Sequence, residues 1–314
     1  MKNCRINLNE YPNPFCHKKC NKEKRQDITE EDLCSETKSV SDDLPLRCVG
    51  PWGIMKIYHL VQYFSIFSKG MKDKWKGKIN YIEICSGPGR CIDRSCGSEF
   101  DGTSLCIIQN EACQYLNKAI FFDYNQTVVD TLNQRINNIN IPNAIAMIGD
   151  YNNPKDLCDK IIKETAGIGL YLIFIDPTDC SVPFDLISTL KYRLRNVDLI
   201  INIATGTDFN RNIGNAIASP SSYHKAKDKY KAFLGPNSDF FFNTPGLSEY
   251  SSENLRNLFR DAYVESLRSI GYSFFDFKAI LHYYNLIFAT SNEKGIEFWK
   301  KVNKYQYDGQ GELF

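Results

Sequence analysis

The segment INYIEICSGPGRC, residues 79–91, decides the fold of this chain. It opens with a mainly apolar, β-branched run, which predicts a buried strand, and this run ends in an acid, Glu83. Three turn-forming residues follow within six positions, Gly87, Pro88 and Gly89. Because glycine has no side chain, the backbone there can approach another group closely. The segment therefore predicts a strand that leads into a loop built to contact a ligand.

Apolar runs alternate with helical patterns on both sides of this segment, over about residues 50–206. One helical pattern, GIMKIYHLVQYFSIFSKGM, precedes the first strand. Another, SLCIIQNEACQYLN (104–117), follows it, with Thr103 or Ser104 as the N-cap. Five strands that alternate with helices indicate a parallel sheet with helices on both faces. The predicted strands are KINYIEIC, KAIFFD, NAIAMIGD, LYLIFID and NVDLIINI.

Two apolar runs near the end of the chain, GYSFFDFKAI and HYYNLIFAT, lie too close together for a crossover helix. They predict an antiparallel hairpin. Five parallel strands followed by a hairpin is the layout of the class I methyltransferase sheet, whereas an ordinary dinucleotide dehydrogenase ends with a parallel sixth strand. The predicted fold is therefore α/β and Rossmann-like, with a mainly parallel seven-stranded sheet. About residues 207–250 are predicted to be an insertion before the last helix and the hairpin.

Four acids stand at or near the ends of successive predicted strands: Glu83, Asp123, Asp150 and Asp176. In an open parallel sheet, ligands bind outside the carboxyl ends of the strands, so these side chains are expected along one edge. Helix capping alone explains any single one of them, because strand-to-helix turns favour Asp. Four in succession favour a shared ligand instead.

The chemistry of S-adenosylmethionine gives the first of these positions their roles. The backbone of Ser86, Gly87 and Gly89 is expected to approach the amino-acid portion, and Glu83 to face its ammonium group. Asp123 is expected to accept hydrogen bonds from the ribose hydroxyls, as acids at this place do in nucleotide-binding folds.

The later positions complete the predicted site. Asp150 is expected to accept from the adenine amino group, and Tyr124 and Tyr151 are further cofactor-binding candidates. Asp176 and Pro177 follow the fourth strand, where the substrate must meet the methyl group, and are the catalytic candidates.

The nearest competing motif is the dinucleotide fingerprint G-x-G-x-x-G, which Gly87 and Gly89 begin but Ile92 fails to complete. A nicotinamide-dependent enzyme is disfavoured by this departure and by the predicted hairpin. A P-loop would require a terminal G-K-[ST], which is missing. Asp123 lies 34 residues after Gly89, whereas ~20 is usual. The excess is a polar loop, residues 91–105, which is either a lid over a ligand or a plain surface insertion.

The first 49 residues are polar, charged and rich in cysteine, with little apolar periodicity. Cys16, Cys20, Cys34 and Cys48 have the spacing C-x3-C-x13-C-x13-C. A zinc ion held by four thiolates would order such a segment. An iron–sulfur cluster and unligated thiols are the alternatives. The predicted organisation is a cysteine-rich segment over 1–49 and a methyltransferase-like domain over 50–314.

Composition sets further limits. Apolar residues make up 43% of the 314, and the net charge of +1 gives no overall attraction to nucleic acid. A local basic patch would suffice for a nucleic-acid substrate, and HKAKDKYKAFLGP, residues 224–236, either contacts phosphates or is a solvated helix face. We expect no membrane span, because no run approaches the ~18 apolar residues that a span needs. We expect a cytoplasmic protein, because the N-terminus lacks a signal-peptide pattern and the 12 cysteines suit a reducing compartment.

Seven segments occur in a characteristic order along the chain: GPWGIMKIYHLVQYF, YIEICSGPGRC, DGTSL, IFIDPTDC, DLIINI, YKAFLG and GIEFWKKVNKYQYDGQGELF. Together they resemble the bacterial three-Cys-motif partner proteins, TcmP, over about residues 50–314. The resemblance implies a class I fold, methyl transfer from S-adenosylmethionine, and a partner protein with a cysteine motif that looks like a radical-type enzyme. The family pattern D-x-F-A-G-P-G is here E-I-C-S-G-P-G, which keeps the acid.

The pair Asp176-Pro177 also resembles the start of D-P-P-Y in methyltransferases that act on the adenine amino group. There the acid and a backbone carbonyl accept hydrogen bonds from the amine of a flipped base, and the aromatic stacks on it. Thr178 and Asp179 follow here, so the family's D-P-F-G pattern is also lost. N-methylation of a nucleobase in RNA or DNA is the hypothesis, and the alternative is a non-catalytic partner subunit of the cysteine-motif enzyme.

Overall fold

The computed structural model describes residues 11–13, 33–34, 37–218, 224–241, 246–281 and 283–304. The chain divides into two compact units, Met1–Gly149 with Lys300–Phe314 and Asp150–Trp299. Strands alternate with helices in both, as the sequence predicts. None of the helices within the described ranges combines the length and the apolar character needed to cross a membrane.

The first unit contains two kinds of strand, those of a large sheet and those of a small one. In chain order its elements are β1 Tyr11–Pro12, β2 Arg47–Val49, α1 Trp52–Met71, β3 Ile79–Ile84, β4 Arg90–Asp93, β5 Ser98–Asp101, α2 Thr103–Ile108, β6 Leu116–Asp123, α3 Gln126–Ile139 and β7 Ala144–Ile148.

From residue 150 onward, helices and strands alternate until a final hairpin and helix. The elements are α4 Pro154–Thr165, β8 Leu170–Ile175, α5 Phe184–Leu194, β9 Val197–Ile203, α6 Asn210–Ala218, α7 His224–Leu234, α8 Ser252–Ser269, β10 Phe274–Ile280, β11 Tyr284–Thr290 and α9 Glu293–Asn303.

The large sheet has seven strands in the order β7–β6–β3–β8–β9–β11–β10. β3 pairs in parallel with β6, β6 with β7, and β8 with β9. β11 runs antiparallel to both β9 and β10. Every residue of β3 and β9 is buried, as expected when helices cover both faces of a sheet. The mainly parallel, Rossmann-like sheet of the class I methyltransferase type and its C-terminal hairpin are thus confirmed.

The predicted helix over 104–117 is wrong in its length. α2 ends at Ile108, and a separate 3₁₀ turn spans Glu111–Tyr115. The break lies at Asn110, whose side chain accepts a hydrogen bond from the backbone N–H of Ala112 and so caps the new turn. The predicted N-cap is also wrong, because Gly102 caps α2 and Thr103 is its first residue.

The predicted polar loop of residues 91–105 contains regular structure. β4 and β5 form a hairpin within a four-stranded sheet of order β1–β5–β4–β2, in which β2 is parallel to β4. Strands from the first 49 residues therefore pair with this hairpin. Glu99 of β5 is fully buried and accepts hydrogen bonds from Asn13 Nδ2, Ser39 Oγ and the N–H of Val40. The boundary at residue 49 stays a prediction, although these contacts cross it.

Candidate active site

In the loop after β3, every second residue has a positive φ angle. Cys85, Gly87 and Gly89 have φ values of 66°, 68° and 91°. The N–H of Ser86 donates to the carbonyl of Phe122 at 3.0 Å, and the N–H of Gly87 donates to Oδ2 of Asp123 at 3.1 Å. The loop is therefore fixed to the end of β6, the next strand of the sheet.

The two glycines have different surroundings. A Cβ on Gly89 would lie 2.7 Å from Cδ1 of Leu132 and 3.1 Å from Cγ of Leu105, so the small residue is required by packing. A Cβ on Gly87 would meet only Arg47, at 3.4 Å from Nη1. Packing thus accounts for Gly89, whereas the backbone at Gly87 faces a charged side chain.

Asp123 ends β6 and stands beside the cap of α3. Its Oδ1 accepts from the N–H of Asn125 at 3.2 Å, while Oδ2 accepts from Gly87. The side chain is half-buried. Each carboxylate oxygen has two lone pairs and can accept more than one hydrogen bond. Tyr124, the next residue, is 57% exposed.

Glu83 is only 1% exposed, and its partners within the first unit are internal. Oε2 accepts from the hydroxyl of Tyr81 at 2.9 Å, and Oε1 accepts from the hydroxyl of Thr103, the first residue of α2. The carboxylate thereby joins β3 to the start of α2. Its predicted contact with an ammonium group stays a prediction.

A buried arginine that the sequence reading missed supports the same loop. Arg135 of α3 is 2% exposed and donates from Nε and Nη2 to the two carboxylate oxygens of Asp42, at 2.8 and 2.9 Å. Its Nη1 donates to the carbonyls of Pro45 and Pro88, at 2.9 and 2.7 Å. Burial acts to raise the pKa of Asp42, but the hydrogen bonds and the charge of Arg135 outweigh it, so the pKa lies below its usual value.

The residues present fit a cofactor of the S-adenosylmethionine type. The Oγ of Ser86 is buried and has no hydrogen-bond partner among the described residues, and Ser86 as a whole is about nine-tenths buried. An orphaned hydroxyl in a glycine loop, beside the carboxylate of Asp123, matches a ligand that offers both hydrogen-bond acceptors and ribose hydroxyls.

The second unit holds the later candidates. Asp150 is exposed, and its Oδ1 accepts from the backbone and side-chain nitrogens of Asn152, as in an Asx turn that precedes α4. The hydroxyl of Tyr151 is 2.9 Å from Oγ of Ser181. The structure therefore gives Asp150 a local hydrogen-bond partner, and the Tyr151 hydroxyl contacts the loop after β8.

Asp176 follows β8 and is 9% exposed. Its Oδ1 accepts from Nδ2 of Asn202 at 2.8 Å, and the same nitrogen lies 3.5 Å from the carbonyl of Pro177. Asn202 is fully buried in β9, and its Oδ1 lacks a hydrogen-bond partner in the described part of the chain. The amide holds the Asp176-Pro177 segment in one orientation. The sequence reading missed Asn202, although its polar side chain in an apolar strand is an unusual feature.

A second polar cluster underlies this segment. Lys229 donates to both carboxylate oxygens of Asp208, at 2.7 and 2.8 Å, and lies 3.3 Å from Oδ2 of Asp179. Asp208 also accepts from the backbone N–H of Cys180. Burial acts to lower the pKa of Lys229, but the hydrogen bonds and charges of Asp208 and Asp179 outweigh it and raise the pKa above its usual value. Lys229 is thus part of an internal ion pair, not of a solvated phosphate-binding stripe.

Two of the four cysteines of the predicted zinc site lie outside the residues that the structure describes. Cys16 and Cys20 lie outside the described residues, whereas Cys34 and Cys48 are half-buried. No group of three or more metal-ligating side chains occurs within the described ranges. Zinc at these four cysteines stays a prediction.

Neither a protein-family model nor a curated protein matches the chain, so membership of the TcmP family stays a prediction. Solved structures with some likeness include protein LPL1258 from Legionella pneumophila, of the DUF519 family model, at 10% identity, 83% coverage of this chain, 95% of that one and a TM-score of 0.45. The methyltransferase domain of bacterial CtHen1-CN is 11% identical, with 73% of this chain and 97% of that one covered and a TM-score of 0.38. Magnesium protoporphyrin IX methyltransferase from Synechocystis, with bound SAH, is 10% identical, with 76% of this chain and 86% of that one covered and a TM-score of 0.34. Identities and TM-scores this low do not establish a relationship, and the fold assignment rests on the strand order of the large sheet.

Proposed function

We propose that the protein is an S-adenosylmethionine-dependent methyltransferase. The observation that carries the proposal is the hydrogen bond from the N–H of Gly87 to Asp123, which joins a glycine loop to an acid at the carboxyl ends of adjacent parallel strands. Ligands of open α/β sheets bind at such strand ends. A half-buried carboxylate at this place suits the hydroxyl groups of a ribose better than a purely structural role.

In this proposal, Ser86 and the backbone of the loop hold the amino-acid portion of the cofactor. Asp123 accepts from the ribose hydroxyls, and the ring of Tyr124, which is 57% exposed, covers the adenine. Asp150 and Tyr151 complete the cofactor-binding set. When bound, S-adenosylmethionine supplies the electrophilic methyl group. The transfer is an in-line displacement, so the protein acts mainly by positioning the nucleophile and accepting a proton.

Asp176 and Pro177 are assigned to the methyl acceptor. Asn202 orients the carboxylate of Asp176, which can then accept a hydrogen bond from an incoming N–H. The carbonyl of Pro177 supplies a second acceptor. Two such acceptors suit an exocyclic amine, which supports a nucleobase as the acceptor class.

Calorimetric titration with S-adenosylmethionine tests the proposal. We expect micromolar binding by the wild-type chain and a loss of roughly 10- to 100-fold in the Asp123→Ala variant, because charge-assisted hydrogen bonds are lost. Asp130→Ala removes an exposed carboxylate of α3 and serves as the matched control, with unchanged affinity expected. A folded wild-type chain that does not bind would contradict the proposal and favour the non-catalytic partner subunit.

A further inference from the structure

A cation lies against the glycine loop. A Cβ built on Gly87 would be 3.4 Å from Nη1 and 3.5 Å from Cδ of Arg47. Arg47 opens β2, and its Cα pairs with that of Cys91 in β4. Because β4 begins directly after Gly89, the strand pairing that places Arg47 also fixes the end of the loop.

The position of Arg47 is set from a second direction as well. Arg135 donates to the carbonyls of Pro45, two residues before Arg47, and of Pro88, one residue after Gly87. The buried guanidinium of Arg135 therefore joins the segment that carries Arg47 to the glycine loop that Arg47 faces. Such double support pre-organises a binding residue and reduces the entropy lost when a ligand binds.

The loop at Gly87 presents both signs of charge. Its N–H is bonded to the carboxylate of Asp123, and its Cα faces the guanidinium of Arg47. The orphaned hydroxyl of Ser86 precedes it directly. The cofactor has a ribose diol, which suits a carboxylate, and a carboxylate of its own, which suits a guanidinium because the planar fork of Arg matches two carboxylate oxygens.

We propose that Arg47 binds the carboxylate of the cofactor's amino-acid portion, an assignment that rests on the proposed function. The ligand-binding cation then comes from the N-terminal strand β2, outside the central sheet. The competing interpretation is that Arg47 is purely structural and holds β2 on the loop. The two interpretations differ in one respect: only a carboxylate-binding role depends on the amino-acid portion of the ligand.

Two ligands separate the interpretations. S-adenosylhomocysteine carries the amino-acid portion, and 5′-methylthioadenosine shares the adenosine and the thioether but lacks that portion. We expect Arg47→Met to weaken S-adenosylhomocysteine binding roughly 10- to 100-fold in calorimetry while leaving the affinity for 5′-methylthioadenosine unchanged. Arg47→Lys, which keeps the charge but not the fork, should show an intermediate loss.

Arg94→Met is the matched control. Arg94 also belongs to the hairpin region, but its guanidinium lies 5.3 Å from the Trp52 ring and donates to the carbonyl of Cys48. Both affinities should be unchanged in this variant. Equal losses for both ligands in Arg47→Met, or no loss for either, would overturn the assignment of Arg47. A folded wild-type chain that binds neither ligand would instead overturn the proposed function, and the assignment with it.

Discussion

Two glycines with left-handed backbone show how one residue type serves different purposes. Gly77 has φ of 66° and no atom within 4 Å of a built Cβ, whereas Gly89 has φ of 91° and a Cβ there would overlap Leu132 and Leu105. We expect Gly77→Ala to cost about 1 kcal/mol of unfolding free energy through backbone strain alone. Gly89→Ala should cost a further ~1–3 kcal/mol from overpacking. Urea unfolding measures both, and equal losses would show that the two leucines yield without cost.

The Asp42–Arg135 pair predicts a pH dependence of stability. The pKa of Asp42 is lower in the folded chain than in the unfolded chain, so its stabilising effect is present above the usual carboxyl pKa and is lost as pH falls through the lowered value. At pH 7, Asp42→Asn should cost about 3 kcal/mol, because the buried guanidinium loses its counter-charge.

The difference in unfolding free energy between wild type and Asp42→Asn should stay constant while pH is lowered from about 7 to about 5, and should shrink as pH falls further, through the usual carboxyl pKa of 3.8 and then through the lowered pKa of the folded chain. Asp43→Asn is the control. Asp43 is 90% exposed and 3.8 Å from Lys38, so its replacement should change stability by less than about 0.5 kcal/mol at any pH. A difference that stays constant for Asp42→Asn over the whole pH range would show that its charge is not what stabilises the fold.

At the scale of elements, local pattern predicted the strands of the large sheet but not the small sheet. β3 and β6 are long apolar runs, and their burial on both faces leaves a clear signal. β4 and β5 have four residues each, and they pair with each other and with β1 and β2, which are distant in sequence. Such short strands carry almost no periodicity, and the non-local part of their pairing leaves no local signal.

Glu99 is the side chain on which that small sheet depends. In Glu99→Gln, one acceptor oxygen becomes a donor and the negative charge is lost, so the donors on Asn13, Ser39 and Val40 compete for fewer acceptors. We expect a loss of about 1–3 kcal/mol and faster hydrogen exchange at the Val40 amide. Glu265→Gln, at an exposed ion pair, should leave both quantities unchanged. Unchanged exchange at Val40 would contradict this account of Glu99.

At the scale of the whole molecule, the sequence predicted the acids at the strand ends but not the buried residues that hold the neighbouring loops in place. Asp123 follows from the rule that parallel strands end at one edge of the sheet. Arg135, Asn202 and the Lys229–Asp208 pair do not, because each makes its key contacts with residues more than twenty positions away. No periodicity encodes such contacts, so supporting residues emerge only from three-dimensional structure.

The small net charge also limits how a nucleic-acid methyl acceptor can be recognised. The net charge of +1 gives no overall attraction to phosphates, and Lys229 is paired with two carboxylates. If a nucleobase is the acceptor, we expect its recognition to come mainly from hydrogen bonds such as those that Asp176 and Pro177 can accept. Salt dependence of binding should then be shallow, since few phosphates are contacted.

Ligand linkage gives a prediction for the chain as a whole. S-adenosylhomocysteine at a hundredfold excess over its Kd should raise the unfolding free energy of the wild-type chain by about 2.7 kcal/mol, because it binds only the folded state. Asp123→Ala at the same ligand concentration should show a much smaller rise, since its Kd is higher. Thermal unfolding with and without ligand measures both. An equal rise in the two proteins would place the ligand away from Asp123, and the cofactor site would then have to be sought elsewhere in the chain.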